Sequence, residues 1–149
     1  MFNSLLIATD GSELGDKAVA AGVELAKAHG SKILILTSTD PVATGIGAGG
    51  FGTFDAGPII AQLEEDYEVQ AKKLLDAARA RLDAAGIAAE TIHVPRHRPA
   101  DAILEVAKER GVDTIVMGSH GRRGLGRLLL GSQASEVLAR SSVPVLIVK

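Results

Sequence analysis

The chain has 149 residues, of which 46% are apolar and 23% charged, a balance typical of one globular domain over residues 1–149. The net charge of -2 gives no basic excess for a nucleic-acid partner, and the absence of cysteine excludes disulfides and thiolate chemistry. No apolar run is long enough to cross a bilayer and no basic leader precedes the first apolar run, so we expect a cytoplasmic protein without a membrane partner.

Five short segments predict β-strands. Four are continuous apolar runs rich in β-branched residues, at 5–8, 33–36, 114–117 and 145–148. Such runs are typical of strands that a parallel sheet buries on both faces. The fifth, at 91–94, mixes polar and apolar residues and predicts an edge strand.

Helical patterns separate these strands. Ser12 is a favourable N-cap for a first helix that Gly30 ends. A long second helix ends near Gly86. Its apolar stripe is predicted to comprise Ile60, Leu63, Tyr67, Ala71, Leu74, Ala78 and Leu82.

Two shorter helices complete the pattern. Pro99 suits the first position of the third helix, which Gly111 ends, and the fourth runs from Ser132 to about Arg140. Alternating strands and helices predict an α/β fold, a doubly wound parallel sheet with right-handed crossovers. Such sheets bind ligands beyond the carboxyl ends of their strands, where the strand order reverses. We expect three loops to meet at this edge near one ligand: the loop at 9–12, the loop after residue 37 and the loop after residue 118.

Residues 41–57 are rich in glycine and have no period. We interpret them as a mobile lid or as a disordered excursion. The Gly45-x-Gly47-x-x-Gly50 spacing matches a dinucleotide fingerprint, but the residues that follow do not open the helix which that fingerprint needs.

The stretch from Gly118 to Ser132 leaves a strand and enters a helix, and it contains five glycines before Ser132. Glycines let backbone amides approach a ligand closely, and a helix N-terminus favours an anion. Three arginines in the stretch add positive charge. The pattern predicts a polyphosphate site, and the alternative is a flexible loop with capping serines and solvated arginines.

The spacing Gly118-x2-Gly121-x9-Gly131-Ser132 resembles the nucleotide-binding motif of the universal stress protein family. Residues 8–12 (Ala-Thr-Asp-Gly-Ser) and 142–146 (Ser-Val-Pro-Val-Leu) extend the resemblance over the whole chain. The resemblance implies a Rossmann-like fold of the adenine nucleotide alpha hydrolase type. It comprises five parallel strands in the order 3-2-1-4-5, with helices on both faces. It also implies ATP as ligand, Mg²⁺ with its phosphates, and a homodimer.

The resemblance also implies which residues surround the nucleotide. Asp10 ends strand 1 near the ribose or a phosphate-bound metal, although a turn-forming aspartate is the alternative. The full set is Ala8, Thr9, Asp10, Thr37, Ser38, Met117, Gly118, Ser119, His120, Gly121, Arg122, Arg123, Gly131, Ser132 and Gln133. Ala134 departs from the family pattern, because many ATP-binding relatives have a hydroxyl residue there.

The sequence favours binding over catalysis. Arg127-Leu128 stands where a P-loop has lysine and a hydroxyl residue, and His93 and His97 flank a strand end rather than one helix face. A stress-response nucleotide-binding protein, able to change its contacts with a regulatory protein partner, is the leading hypothesis. A slow ATPase or nucleotidyl-transfer enzyme and a nucleotide-independent dimeric module are the alternatives.

The strand order that the resemblance implies places strand 5 at a sheet edge, and the strand has almost no charge to protect it. Such an edge favours pairing with another chain. We therefore expect a homodimer through strand 5, with Val143, Val145 and Ile147 in the interface.

Overall fold

The computed structural model describes residues 1–42, 56–121 and 130–149. Strands and helices alternate along these residues as the sequence predicts. In chain order the elements are β1 (Ser4–Ala8), α1 (Glu13–His29), β2 (Lys32–Thr39), α2 (Gly57–Ala84), β3 (Ala89–Pro95), α3 (Pro99–Arg110), β4 (Thr114–Gly118), α4 (Ser132–Arg140) and β5 (Val145–Val148).

All strands of the sheet pair in parallel, in the order β3-β2-β1-β4-β5. This order confirms the predicted doubly wound topology, with β3 and β5 at the two edges. β2 extends past the predicted apolar run, because Thr37, Ser38 and Thr39 continue to pair with residues of β3. The polar end of β2 therefore reaches the carboxyl edge of the sheet as part of the strand.

The helix ends follow local sequence. Ser12 accepts a hydrogen bond from the Gly15 amide at the start of α1, as an N-cap does. Gly30 and Gly111 end α1 and α3 in the left-handed conformation, which glycine adopts without a steric penalty. Pro99 is the first residue of α3, as predicted.

The helices cover both faces of the sheet, so the central strands are buried on each side. Leu5 and Ile7 face a core that includes Val19 of α1 and Leu82 of α2. The alternate residues of β1 and its neighbours face a second core under α3 and α4. Burial on both faces explains why the central strands read as unbroken apolar runs.

The predicted stripe of α2 is wrong in its first half. Leu63 and Tyr67 are 38% and 37% exposed, whereas Leu75, which the stripe omitted, is buried. With 28 residues, α2 is about 42 Å long. The longest strand, β2, has 8 residues and spans only about 26 Å. The helix therefore extends beyond the sheet, and only its second half is covered.

Most of the glycine-rich segment 41–57, including the Gly45–50 spacing, lies outside the described residues, and its last residue, Gly57, begins α2. Among the described helices, none combines the length and hydropathy that a membrane span requires.

Candidate functional site

The carboxyl ends of β1, β2 and β4 lie side by side. Ala8 is in register with Leu36 of β2 on one side and with Met117 of β4 on the other. The Thr9 amide then donates a 3.0 Å hydrogen bond to the Leu36 carbonyl. The chain adds β2 and β3 on one side of β1 and then β4 and β5 on the other side. The strand order therefore reverses beside β1, and ligands bind at this point in such sheets.

A tight turn after β1 orients Asp10. Asp10 Oδ1 accepts a 3.0 Å hydrogen bond from the Ser12 amide, and Thr9 Oγ1 accepts one of 3.2 Å from the Gly11 amide. Gly11 has a φ of 74°, a conformation that favours glycine. The turn-forming role of Asp10 is therefore present, and the same turn directs its carboxylate toward the loop after β4.

The start of that loop is fixed by three hydrogen bonds. The Ser119 amide donates to the Val148 carbonyl at 2.8 Å, and the Ser119 carbonyl accepts from the Gly131 amide at 2.8 Å. The Ser119 hydroxyl and His120 Nδ1 share a third bond of 3.1 Å. Ser119 is buried, so its side chain and that of His120 hold the loop at the end of β4.

Three glycines of the motif lie in close contact with neighbouring atoms, and none of them has a left-handed backbone. A Cβ at Gly131 would lie 2.9 Å from the Ser119 carbonyl oxygen. A Cβ at Gly121 would lie 2.8 Å from Asp10 Oδ2, and one at Gly118 would lie 2.9 Å from Leu14 Cβ. These approaches bring the turn after β1, the loop after β4 and the start of α4 into one compact cradle.

The N-terminus of α4 supplies free backbone donors at this cradle. Gly131 is the N-cap, and the first intrahelical bond runs from the Ser135 amide to the Gly131 carbonyl at 2.9 Å. The amides of residues 132–134 therefore have no intrahelical acceptor. Together with the helix dipole and the exposed Ser132, they form a site suited to an anion.

The family model for universal stress proteins matches residues 1–149. This chain belongs to the universal stress protein family. Universal stress protein YxiE of Bacillus subtilis (strain 168) is 37% identical to it over 150 residues, which cover 100% of both chains.

Solved structures of other universal stress proteins share the fold. MJ0577, a universal stress protein of Methanocaldococcus jannaschii, superposes with a TM-score of 0.84 and 27% identity over 100% of this chain and 96% of that one. A universal stress protein crystallised in complex with cAMP superposes with a TM-score of 0.67 and 30% identity, covering 99% of this chain and 96% of that one.

The predicted site residues of this universal stress protein differ in accessibility. Thr37 and Met117 are buried and expose little of their side chains at this edge of the sheet, whereas Ser38 is half-buried. Gln133 has its side-chain oxygen engaged, because Gln133 Oε1 accepts a 2.9 Å hydrogen bond from the Ala100 amide. The predicted contacts of Arg122 and Arg123 lie outside the described residues.

Sequence reasoning missed Gly15. A Cβ there would lie 2.7 Å from Thr9 Oγ1, 2.9 Å from Asp10 Oδ1 and 3.2 Å from the Asp10 amide nitrogen, so glycine lets α1 pack closely against the Asp10 turn. The available signal was its place in the first turns of a helix, where glycine costs about 1 kcal/mol relative to alanine. A costly glycine beside a candidate ligand turn indicates close backbone packing.

The two histidines near β3 have separate structural partners. His93 Nε2 and Thr39 Oγ1 are 2.9 Å apart, and burial lowers the pKa of His93 while the charge of Glu68 opposes that shift. His97 Nδ1 contacts the Pro95 carbonyl at 2.9 Å. Within residues 1–42, 56–121 and 130–149, no group of three histidine, cysteine or acidic side chains is arranged to hold a metal ion.

Proposed function

We propose that this universal stress protein binds ATP with Mg²⁺ at the carboxyl ends of β1, β2 and β4 and acts as a regulatory protein in a stress response. The observation that carries the proposal is the cradle in which the free amides of α4 adjoin closely packed Gly118, Gly121 and Gly131. A glycine-lined loop ending at a helix N-terminus is a common phosphate site. The relative crystallised with cAMP supports an adenine nucleotide as the ligand class.

The two ends of the ligand have different surroundings in this proposal. The adenosine lies along Ala8, Thr9, Thr37, Ser38 and Met117, where the strand ends offer backbone groups and apolar surface. The phosphates lie at the α4 end, surrounded by Gly118, Ser119, His120, Gly121, Gly131 and Ser132. Arg122 and Arg123 follow Gly121 directly in the sequence, and their positive charge suits phosphate oxygens.

The site fits a magnesium ion that arrives with the phosphates. Mg²⁺ binds nucleotide sites through one or two carboxylates, several waters and the phosphate oxygens. Asp10 is the acidic residue of the cradle, and its Oδ2 lies where the Gly121 side chain would be. Bound there directly or through water, Mg²⁺ neutralises phosphate charge that the backbone amides alone leave uncompensated.

The edge strand β5 supports a homodimer. Leu146 is 38% exposed, while Val143, Val145 and Ile147 are half-buried against the core under α3 and α4. A short apolar edge with free backbone groups pairs readily with a second copy. We propose that the dimer contact includes Val143, Val145 and Ile147. In this proposal the protein is cytoplasmic, and its nucleotide state changes its contacts with a regulatory partner.

A thermal-shift experiment tests the nucleotide site. A ligand that binds only the folded protein raises its melting temperature in proportion to the logarithm of the ligand concentration. We expect ATP with Mg²⁺ to raise the melting temperature of the wild type. The melting temperature of Gly121→Val should not change when ATP is added, because the new side chain meets the Asp10 carboxylate. Ser135→Ala, an exposed change in the first turn of α4, is the matched control and should respond like the wild type. Equal shifts in all three proteins would contradict the proposed site.

A further inference from the structure

The start of α3 lacks a local hydrogen-bond acceptor. Pro99, its first residue, has no amide hydrogen, and the N-cap residue Arg98 makes no side-chain capping bond. The next amide belongs to Ala100, which is 0% exposed, so water does not reach this residue. A buried amide without an acceptor would destabilise the helix start.

Gln133 supplies that acceptor from the neighbouring helix. Its Oε1 accepts the Ala100 amide at 2.9 Å, across 33 residues of sequence. Gln133 is the second residue of α4, directly after Ser132. The start of α3 and the start of α4 are therefore joined by one side chain.

Ion pairs also join α3 and α4 at their exposed surfaces. Glu136 of α4 pairs with Arg98 at 3.0 Å and with Arg140 at 2.6 Å, and Arg140 also pairs with Asp101 of α3 at 2.8 Å. Exposed pairs of this kind stabilise a structure only slightly. The Gln133 bond is different because it satisfies a buried donor, so it sets the position of the first turn of α4 more firmly.

The first turn of α4 is held at a second point. The Gly131 amide donates to the Ser119 carbonyl at 2.8 Å, on the side of the loop after β4. The free amides of residues 132–134 thus lie between two anchors, one in the loop after β4 and one on α3. Donors fixed in advance bind an anion more tightly than donors that must be ordered on binding.

We propose that Gln133 is a positioning residue of the nucleotide site, which holds the phosphate-binding amides of α4 in place through its bond to the Ala100 amide. The inference rests on the proposed function, since it concerns that same site. In this inference the Gln133 side-chain oxygen does not contact the nucleotide directly but acts through its hydrogen bond to α3.

The test compares Gln133→Met with the control Ser135→Ala. Methionine keeps the length of glutamine and removes the acceptor, whereas Ser135 is an exposed residue in the same turn. ATP affinity, with Mg²⁺ present, is measured by calorimetry, adenosine affinity by competition, and protection of the Ala100 amide by NMR hydrogen exchange.

We expect Gln133→Met to weaken ATP binding about fivefold or more and to speed exchange of the Ala100 amide. Adenosine has no phosphate, so its affinity should stay unchanged. General destabilisation of the protein would instead weaken the binding of both ATP and adenosine. Ser135→Ala should match the wild type. Wild-type ATP affinity in Gln133→Met, or equal losses for ATP and adenosine, would overturn the inference. A folded wild type that binds neither ligand would instead overturn the proposed function.

Discussion

Replacing Gly131 with alanine perturbs the cradle at its tightest backbone approach. The new Cβ would lie 2.9 Å from the Ser119 carbonyl oxygen and 3.3 Å from His120 Cα. Both neighbours are backbone atoms, so neither can turn away as the end of a side chain can. The start of α4 must move away from β4, and the 2.8 Å bond between the Gly131 amide and the Ser119 carbonyl lengthens with it.

The expected magnitude has two parts. Overpacking of a well-packed site costs about 1–3 kcal/mol of folding free energy. Displacement of the free α4 amides removes at least one charge-assisted hydrogen bond to phosphate, about 1.5–3 kcal/mol. We therefore expect Gly131→Ala to remain folded, to melt at a lower temperature, and to bind ATP at least about tenfold more weakly.

Calorimetric titration with ATP and Mg²⁺, at a temperature where every variant is folded, checks this prediction. Gly22→Ala is the matched control, since its new Cβ meets only the buried side chain of Ile7 in the core and no atom of the cradle. Whatever Gly22→Ala does to the melting temperature, its ATP affinity should equal that of the wild type. Unchanged ATP affinity in Gly131→Ala would refute the reasoning, and so would an equal loss in Gly22→Ala.

Three further predictions concern stability and assembly. Ser12→Ala removes the cap of the Gly15 amide and should lower the free energy of unfolding by about 1 kcal/mol in urea titrations; an unchanged midpoint would contradict the capping role. Burial lowers the pKa of His93 from 6.5, although the charge of Glu68 opposes that shift. His93 therefore binds a proton more readily in the unfolded chain than in the folded protein. Stability should therefore fall as the pH is lowered through 6.5, and urea midpoints of His93→Gln should fall less; equal falls would disprove this. Leu146→Lys places a charge on β5 and should convert a dimer to a monomer in light scattering, whereas a monomeric wild type would end the dimer proposal.

The strand positions could be predicted because each central strand is buried on both faces and so appears as an unbroken apolar run. The end of β2 could not be located from such runs. Thr37, Ser38 and Thr39 are polar, and they continue the strand because β3 pairs with them, with register partners 56 residues away in the sequence (Thr37 with His93, for example). Pairing between distant segments leaves no local pattern in the sequence.

The glycine pattern of the candidate site could be read from the sequence, but the contacts that these glycines make could not. The spacing of Gly118, Gly121 and Gly131 identified the cradle, yet the reason for each glycine is the atom that faces it, which only the fold reveals. The resemblance to the family implies Gln133 as one of the nucleotide contacts. Its oxygen instead meets the Ala100 amide, because α3 and α4 are neighbours on the sheet.

The measurement that tests the central claim most directly is a calorimetric titration of the wild-type protein with ATP in the presence of Mg²⁺. The account predicts saturable binding of about one nucleotide per chain. It also predicts weaker binding when Asp10 is replaced by alanine. A folded protein that releases no heat of binding at millimolar ATP and shows no displacement of a labelled adenine nucleotide would contradict the account.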